Sequence, residues 1–156
     1  MVLRVLSLWF LRNFEEPLEQ GVIKRLFLVS AALNDCELAS SALRLAEKFG
    51  YPLQTCDYYS LLQACAVGGD ISGVIDTLVC ADANKADLYS CASTGYRLQD
   101  RVGRLVKHPR ALEELYYSLV DRHKKSLSVP EFGVNACIMG FGRKGDLNMA
   151  KSTLYE

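Results

Sequence analysis

The chain has 156 residues, with 18 Lys and Arg, 18 Asp and Glu, and a formal net charge of zero. That length holds one modest domain, or about four units of some 35 residues, and an apolar half of the composition excludes a disordered tail. The neutral balance argues against a bulk nucleic-acid binder and leaves room only for a local basic groove.

Residues Met1 to Phe14 read MVLRVLSLWFLRNF, with Arg4 and Arg12 and no acid before Glu15. The run is too short to span a bilayer and carries no clean small-residue cleavage site, so no membrane partner is expected. Segment 1–19 fits an amphipathic organelle transit segment, a helix that docks on a partner, or a plain capping helix. In the docking case Trp9 and Phe10 would be the anchor. Pro17 lies in a polar break, after which helical patterns follow in pairs.

Ile23, Leu26, Phe27 and Ala31 line one predicted helix, and Leu38, Ala42, Leu45 and Phe49 the next, stopped at Gly50-Tyr51-Pro52. Tyr58, Leu61, Leu62, Cys65 and Ala66 follow an i, i+3, i+4, i+7, i+8 template. Gly68-Gly69 suits a left-handed helix end, and Asp70 suits the cap of a helix carrying Ile71, Val74, Ile75 and Leu78. Residues 81–95 read as a helix extension followed by a loop. Leu98, Val102, Leu105 and Val106 then predict a helix broken at His108-Pro109, with Pro109 placed at the start of the next. Leu112, Leu115, Tyr116, Leu119 and Val120 carry that helix. Val134, Cys137, Ile138 and Phe141 line another, closed by Lys144-Gly145-Asp146 before a last helix from Leu147.

Three of these helix ends repeat a step: Asn34-Asp35, Gly69-Asp70 and Gly145-Asp146. Asp35 and Asp70 lie 35 residues apart, whereas Asp70 and Asp146 lie 76 apart, so the second interval holds six residues beyond two periods. The excess is expected within 81–95. A helix pair recurring at this length predicts an all-α, right-handed α-solenoid of about four helix-turn-helix units, at 20–54, 55–94, 95–130 and 131–156.

Six cysteines, Cys36, Cys56, Cys65, Cys80, Cys91 and Cys137, form no CxxC pair, and both histidines are remote from them, which disfavours zinc. Cys65 and Cys137, among apolar neighbours at related helix positions, are expected to be buried thiols. No nucleophile motif, phosphate loop or cofactor signature is present, so no catalysis, cofactor or small-molecule substrate is expected. Arg101, Arg104, Lys107 and Arg110 recur at steps of three and offer phosphate contacts, against the plainer reading of a solvated face paired with Asp100, Glu113 and Glu114. Arg122, Lys124 and Lys125 sit at a helix end, where the dipole alone accounts for them.

The segments Tyr58-Tyr59-Ser60-Leu61-Leu62 with Gly69-Asp70-Ile71, and Val134-Asn135-Ala136-Cys137-Ile138 with Gly145-Asp146-Leu147, resemble the pentatricopeptide repeat family. The resemblance covers roughly residues 20–156. It implies a mostly organellar protein that binds single-stranded RNA, with the first helix of each unit on the concave face. It also implies a base-reading residue early in that helix, here Lys24, Tyr59, roughly Gln99, and Asn135, paired with one at the unit's end, near Gln54 and Pro130 or Glu131. Asn135 is a type the family uses; Tyr59 and Lys24 depart from it. The expectation is a structural RNA-binding component of a ribonucleoprotein such as a mitochondrial ribosome, with single-stranded or ribosomal RNA and neighbouring subunits as partners, or a plastid counterpart. The competing expectation is a protein scaffold in a large organellar complex.

Overall fold

The computed structural model describes residues 19–89, 99–100, 102–103 and 110–155. Among them are seven helices and no strand: α1 Gln20–Leu33, α2 Cys36–Lys48, α3 Thr55–Gly68, α4 Ile71–Ala83, α5 Ala111–Lys124, α6 Glu131–Lys144 and α7 Leu147–Tyr155. Residues 99–100 and 102–103 are also helical, in the place predicted for the first helix of unit three.

Positive φ marks the repeat. Among the described residues it occurs at Asn34, Gly50, Gly69, Lys85, Arg110, Ser126 and Gly145. The steps between them are 16, 19, 16, 25, 16 and 19 residues. A left-handed residue lets the chain close a helix with a bond from the following N–H back to a carbonyl inside the last turn. That bond recurs from Asp35 to Ser30, Tyr51 to Ala46, Asp70 to Cys65, Ala86 to Ala81, Leu127 to Arg122 and Asp146 to Phe141, at 2.7 to 3.0 Å. Sixteen plus nineteen makes the 35-residue unit. The single long step, Lys85 to Arg110, exceeds nineteen by six, which locates the predicted excess. The helix α4 runs on through Ala81 to Ala83 before the chain turns, and is as long as α2.

The Asp of the recurring step is a helix cap each time. Asp35, Asp70 and Asp146 accept from the amides of Leu38, Gly73 and Met149 at 3.1, 3.0 and 3.0 Å. Unit three departs from this. Its turn falls on Arg110 (φ 67°), no side chain caps α5, and the helix starts at Ala111, so Pro109 is not its first residue. The register, and not the proline, sets the turn.

Packing follows the pairs. Helix α1 packs on α2 and on α3, α3 on α4, α4 on α5, α5 on α6, and α6 on α7. Helix α3 is the central layer. Tyr58, Leu62, Cys65 and Ala66 enter a core shared with α4, α5 and α6, while Leu61 and Ala64 enter a second core with Ile23, Phe27, Ala39 and Ala42. A helix apolar on both sides is one buried on both sides. Between the helix at 99–103 and α6 the backbones touch. A β-carbon on Gly103 would fall 2.8 Å from the Ala136 carbonyl, and one on Gly140 would fall 2.6 Å from the Gly103 carbonyl.

Candidate nucleic-acid interface

The early first-helix places expected to face a base lie ten residues before each first-helix turn. Counted back from Asn34, Gly69, Arg110 and Gly145, they are Lys24, Tyr59, Asp100 and Asn135. The equivalent place in unit three is therefore Asp100, one after Gln99. Gln99 instead lines up with Ile23, Tyr58 and Val134 on the inward side, and is only 5% exposed.

Three of the expected site residues meet at one segment, Leu88-Tyr89. The Tyr59 hydroxyl donates to the Leu88 carbonyl at 2.9 Å. The Tyr89 phenol oxygen accepts from the side-chain amides of both Gln99 and Asn135, each at 3.0 Å. Gln99 also donates to the Phe132 carbonyl at 3.4 Å, and the Tyr89 and Phe132 rings lie 5.4 Å apart. A phenol oxygen accepts about two hydrogen bonds and donates one. Among the described residues, both acceptor places are thus taken by side-chain amides.

Tyr89 was missed from sequence, although it stands 35 residues after Gln54 and so holds the end-of-unit place of unit two. Spacing alone was the signal; its aromatic type hid it. Lys24 is exposed on α1, outside this group. Leu53, Leu88 and Val129, each just before the end of its unit, are all packed into the cores and hold the end residues in place.

Two of the acids near the basic helix meet cations of α6. Asp100 forms an ion pair with Arg143, and Glu113 lies 3.7 Å from Lys144, so α6 holds both. Arg101, Arg104 and Lys107 lie outside the described residues. At the end of α5, Arg122 donates to the Ser128 carbonyl at 3.0 Å and Lys125 pairs with Asp121 at 2.6 Å, both local closures.

Burial pushes the Cys65 thiol up to about 12, with Asp70 adding to it, and pushes Cys137 up to about 12. Both are protonated at neutral pH and inert as nucleophiles or ligands. In register, Cys65 matches Phe141 and Cys137 matches Leu61, so they stand a helical turn apart. Among the described residues no three His, Cys, Asp or Glu side chains gather as a metal site. No described helix is long and apolar enough to cross a membrane.

A family model described as pentatricopeptide repeat-containing protein matches residues 20–156. The chain belongs to the pentatricopeptide repeat family. No curated protein and no solved structure matches it. As a pentatricopeptide repeat protein it has the all-helical repeat fold read above, and its matched stretch begins where α1 begins.

Proposed function

We propose that this chain is a non-catalytic, organellar RNA-associated repeat protein, a structural RNA-binding component of a ribonucleoprotein such as the mitochondrial ribosome. Membership of the pentatricopeptide repeat family supports the RNA association and the organelle, with a plastid as the alternative compartment. One observation carries the structural role over base-by-base reading. The Tyr59 hydroxyl and one N–H of the Asn135 amide are engaged by Leu88 and Tyr89. Reading a base through that N–H of Asn135 would first break its bond to Tyr89. Contact through phosphate needs no such exchange. The residues for it are Arg101, Arg104 and Lys107, with Lys24 as an outlying cation.

Crosslinking of the native protein in an organelle extract, with sequencing of attached RNA, tests this. A defined RNA crosslinked near Arg101 to Lys107 is the expected result. Replacing those three residues by Ala should weaken binding and lower the salt slope by about 2, at ~0.7 per phosphate contact with a single strand. An unchanged slope would remove the phosphate assignment.

A second reading is a scaffold that holds a neighbouring subunit without RNA. A cleft of about 530 Å³ favours it, walled by Tyr116, Leu119, Val120, Val129 and Val134, beside the exposed Leu147 and Leu154 of α7. Nuclease treatment of the assembly separates the two: release means RNA anchoring, and retention means protein contacts.

A further inference from the structure

Three left-handed turns recur 76 residues on: Asn34 at Arg110, Gly50 at Ser126 and Gly69 at Gly145. In that register α2, α3 and α4 fall on α5, α6 and α7. The buried threonines keep it too. Thr77 and Thr153 each donate to the carbonyl four residues back, of Gly73 and Met149, at 2.6 and 2.7 Å. The two helix triplets part company at the cleft of about 530 Å³ walled by α5, α6 and α7. Its lining residues Leu119, Val129 and Thr153 match Leu43, Leu53 and Thr77, like for like. Val134 does not, for its counterpart is Tyr58.

Tyr58 is fully buried, and its hydroxyl lies 3.7 Å from the Cys80 sulfur, so its side chain spans from α3 to the end of α4. Beside Val134, Gly133 likewise stands for Asp57, and Val120 for the longer Arg44. Two lining residues are larger than their counterparts, Tyr116 for Ser40 and Glu131 for Thr55. Neither fills the gap: the Tyr116 ring stands edge-on to Phe141 at 5.8 Å, and Glu131 is exposed at the rim. An apolar hollow of this kind takes up an aromatic ring, and its volume is in the usual range of about 300–1,000 Å³ for a binding site. Lys124 and Glu131 give the rim one charge of each sign, so the site selects no net charge. A nucleobase, with its phosphate and its polar edges, suits such walls poorly. We infer that the cleft receives one aromatic side chain of a neighbouring subunit, in the place that Tyr58 fills between α2, α3 and α4. This rests on the reading of the chain as a subunit that holds a neighbour, and it names the neighbour's chemistry.

Titration of the full chain with p-cresol, the tyrosine side chain as a free molecule, tests the fit. It should raise the urea midpoint saturably and shift the methyl resonances of Leu119, Val129 and Val134. Val134→Tyr should weaken p-cresol binding at least about tenfold, since the ring then comes from the chain itself. Val120→Phe, nearer the surface, gives the same block should Val134→Tyr not fold, and Leu28→Tyr on α1 should change nothing. Adenosine monophosphate should not compete. In the native assembly, a diazirine lysine analogue at Lys124 should crosslink to another subunit beside a Phe, Tyr or Trp, and Val134→Tyr should abolish that crosslink. The inference falls if p-cresol shows no saturable effect, if it binds Val134→Tyr and Val120→Phe unweakened, or if adenosine monophosphate displaces it. It also falls if the crosslink goes to RNA, to a segment without an aromatic residue, or to nothing. Nuclease release of the chain with the subunit crosslink intact would remove the RNA-free scaffold and support the aromatic anchor.

Discussion

At Gly69-Asp70 the left-handed turn falls on a glycine, and the next carboxylate accepts from the Gly73 amide at 3.0 Å. At Arg110-Ala111 the same two places hold a side chain at φ 67° and a methyl group. The backbone makes the same turn in both. A left-handed non-glycine residue costs about 1–2 kcal/mol, and a missing cap about 1 kcal/mol. Glu113 and Glu114 in the first turn of α5 offset part of this through the helix dipole, by about 0.3–1 kcal/mol each. The remainder must come from packing, and Leu112 and Leu115 are both fully buried. Unit two states its turn locally; unit three has its turn imposed by neighbours.

The largest test of that contrast is at the backbone contact beside unit three. Gly140→Ala would drive a β-carbon to 2.6 Å from both the Gly103 carbonyl and a Leu112 methyl. Overpacking of this kind costs about 1–3 kcal/mol, and the upper end is expected because one of the two neighbours is backbone. Its register counterpart is Ala64, where Ala64→Gly should cost only about 1 kcal/mol through helix propensity. Urea midpoints of the two variants compare them directly. Equal losses would mean that unit three is not held by this contact.

Two places in the larger core can be compared by alkaline titration. An unfolded thiol titrates near 8.5, whereas Cys65 and Cys137 sit at about 12. Between those values the unfolded chain has released protons that the folded chain still holds. Stability therefore falls as pH rises from about 8.5 towards about 12, by up to ~1.4 kcal/mol per pH unit for each thiol. Below that window these thiols give no pH dependence. Cys65→Ala and Cys137→Ala should each flatten the decline by a similar amount; unequal effects would show that water reaches one of the two places in this core.

How much was legible in the sequence follows from the same contrast. The Asn34, Gly69 and Gly145 turns were readable because glycine or asparagine at a left-handed turn and an Asp cap act through their own side chains. The period and the six extra residues followed from those marks. Arg110, Lys85 and Ser126 were not readable, since nothing in an Arg, Lys or Ser announces positive φ. Without Arg110 as a mark, Gln99 was placed one residue out of register. Three of the expected site residues, Lys24, Tyr59 and Asn135, stand at equivalent places ten residues before a turn. The engagement of Tyr59 and Asn135 by Leu88 and Tyr89 was hidden, because it depends on where the segment after α4 lies and not on any local pattern. The face of α3 was also only half read: its template residues are all buried, but Leu61 turns to the other core.

A smaller effect tests the local side of the contrast. Asp70→Ala removes the cap of α4 and should cost about 1 kcal/mol, with Asp35→Ala and Asp146→Ala in the same range. Thermal unfolding of the three variants would check it. A loss well below this at Asp70 would mean that packing imposes the turn there as well, and the two turns would no longer differ in kind.

The smallest effect comes from giving unit three what unit two already has. Arg110→Gly relieves a left-handed side chain, a gain of about 1–2 kcal/mol, and adds the entropy cost of a glycine, about 0.5–1 kcal/mol. A net stabilisation of about 0.5–1 kcal/mol is expected, the reverse of the usual sign for a substitution to glycine. Because Arg110 is exposed, little packing is lost with its side chain. If the variant is instead destabilised, the guanidinium holds something in place at this turn, and the turn of unit three is stated locally after all.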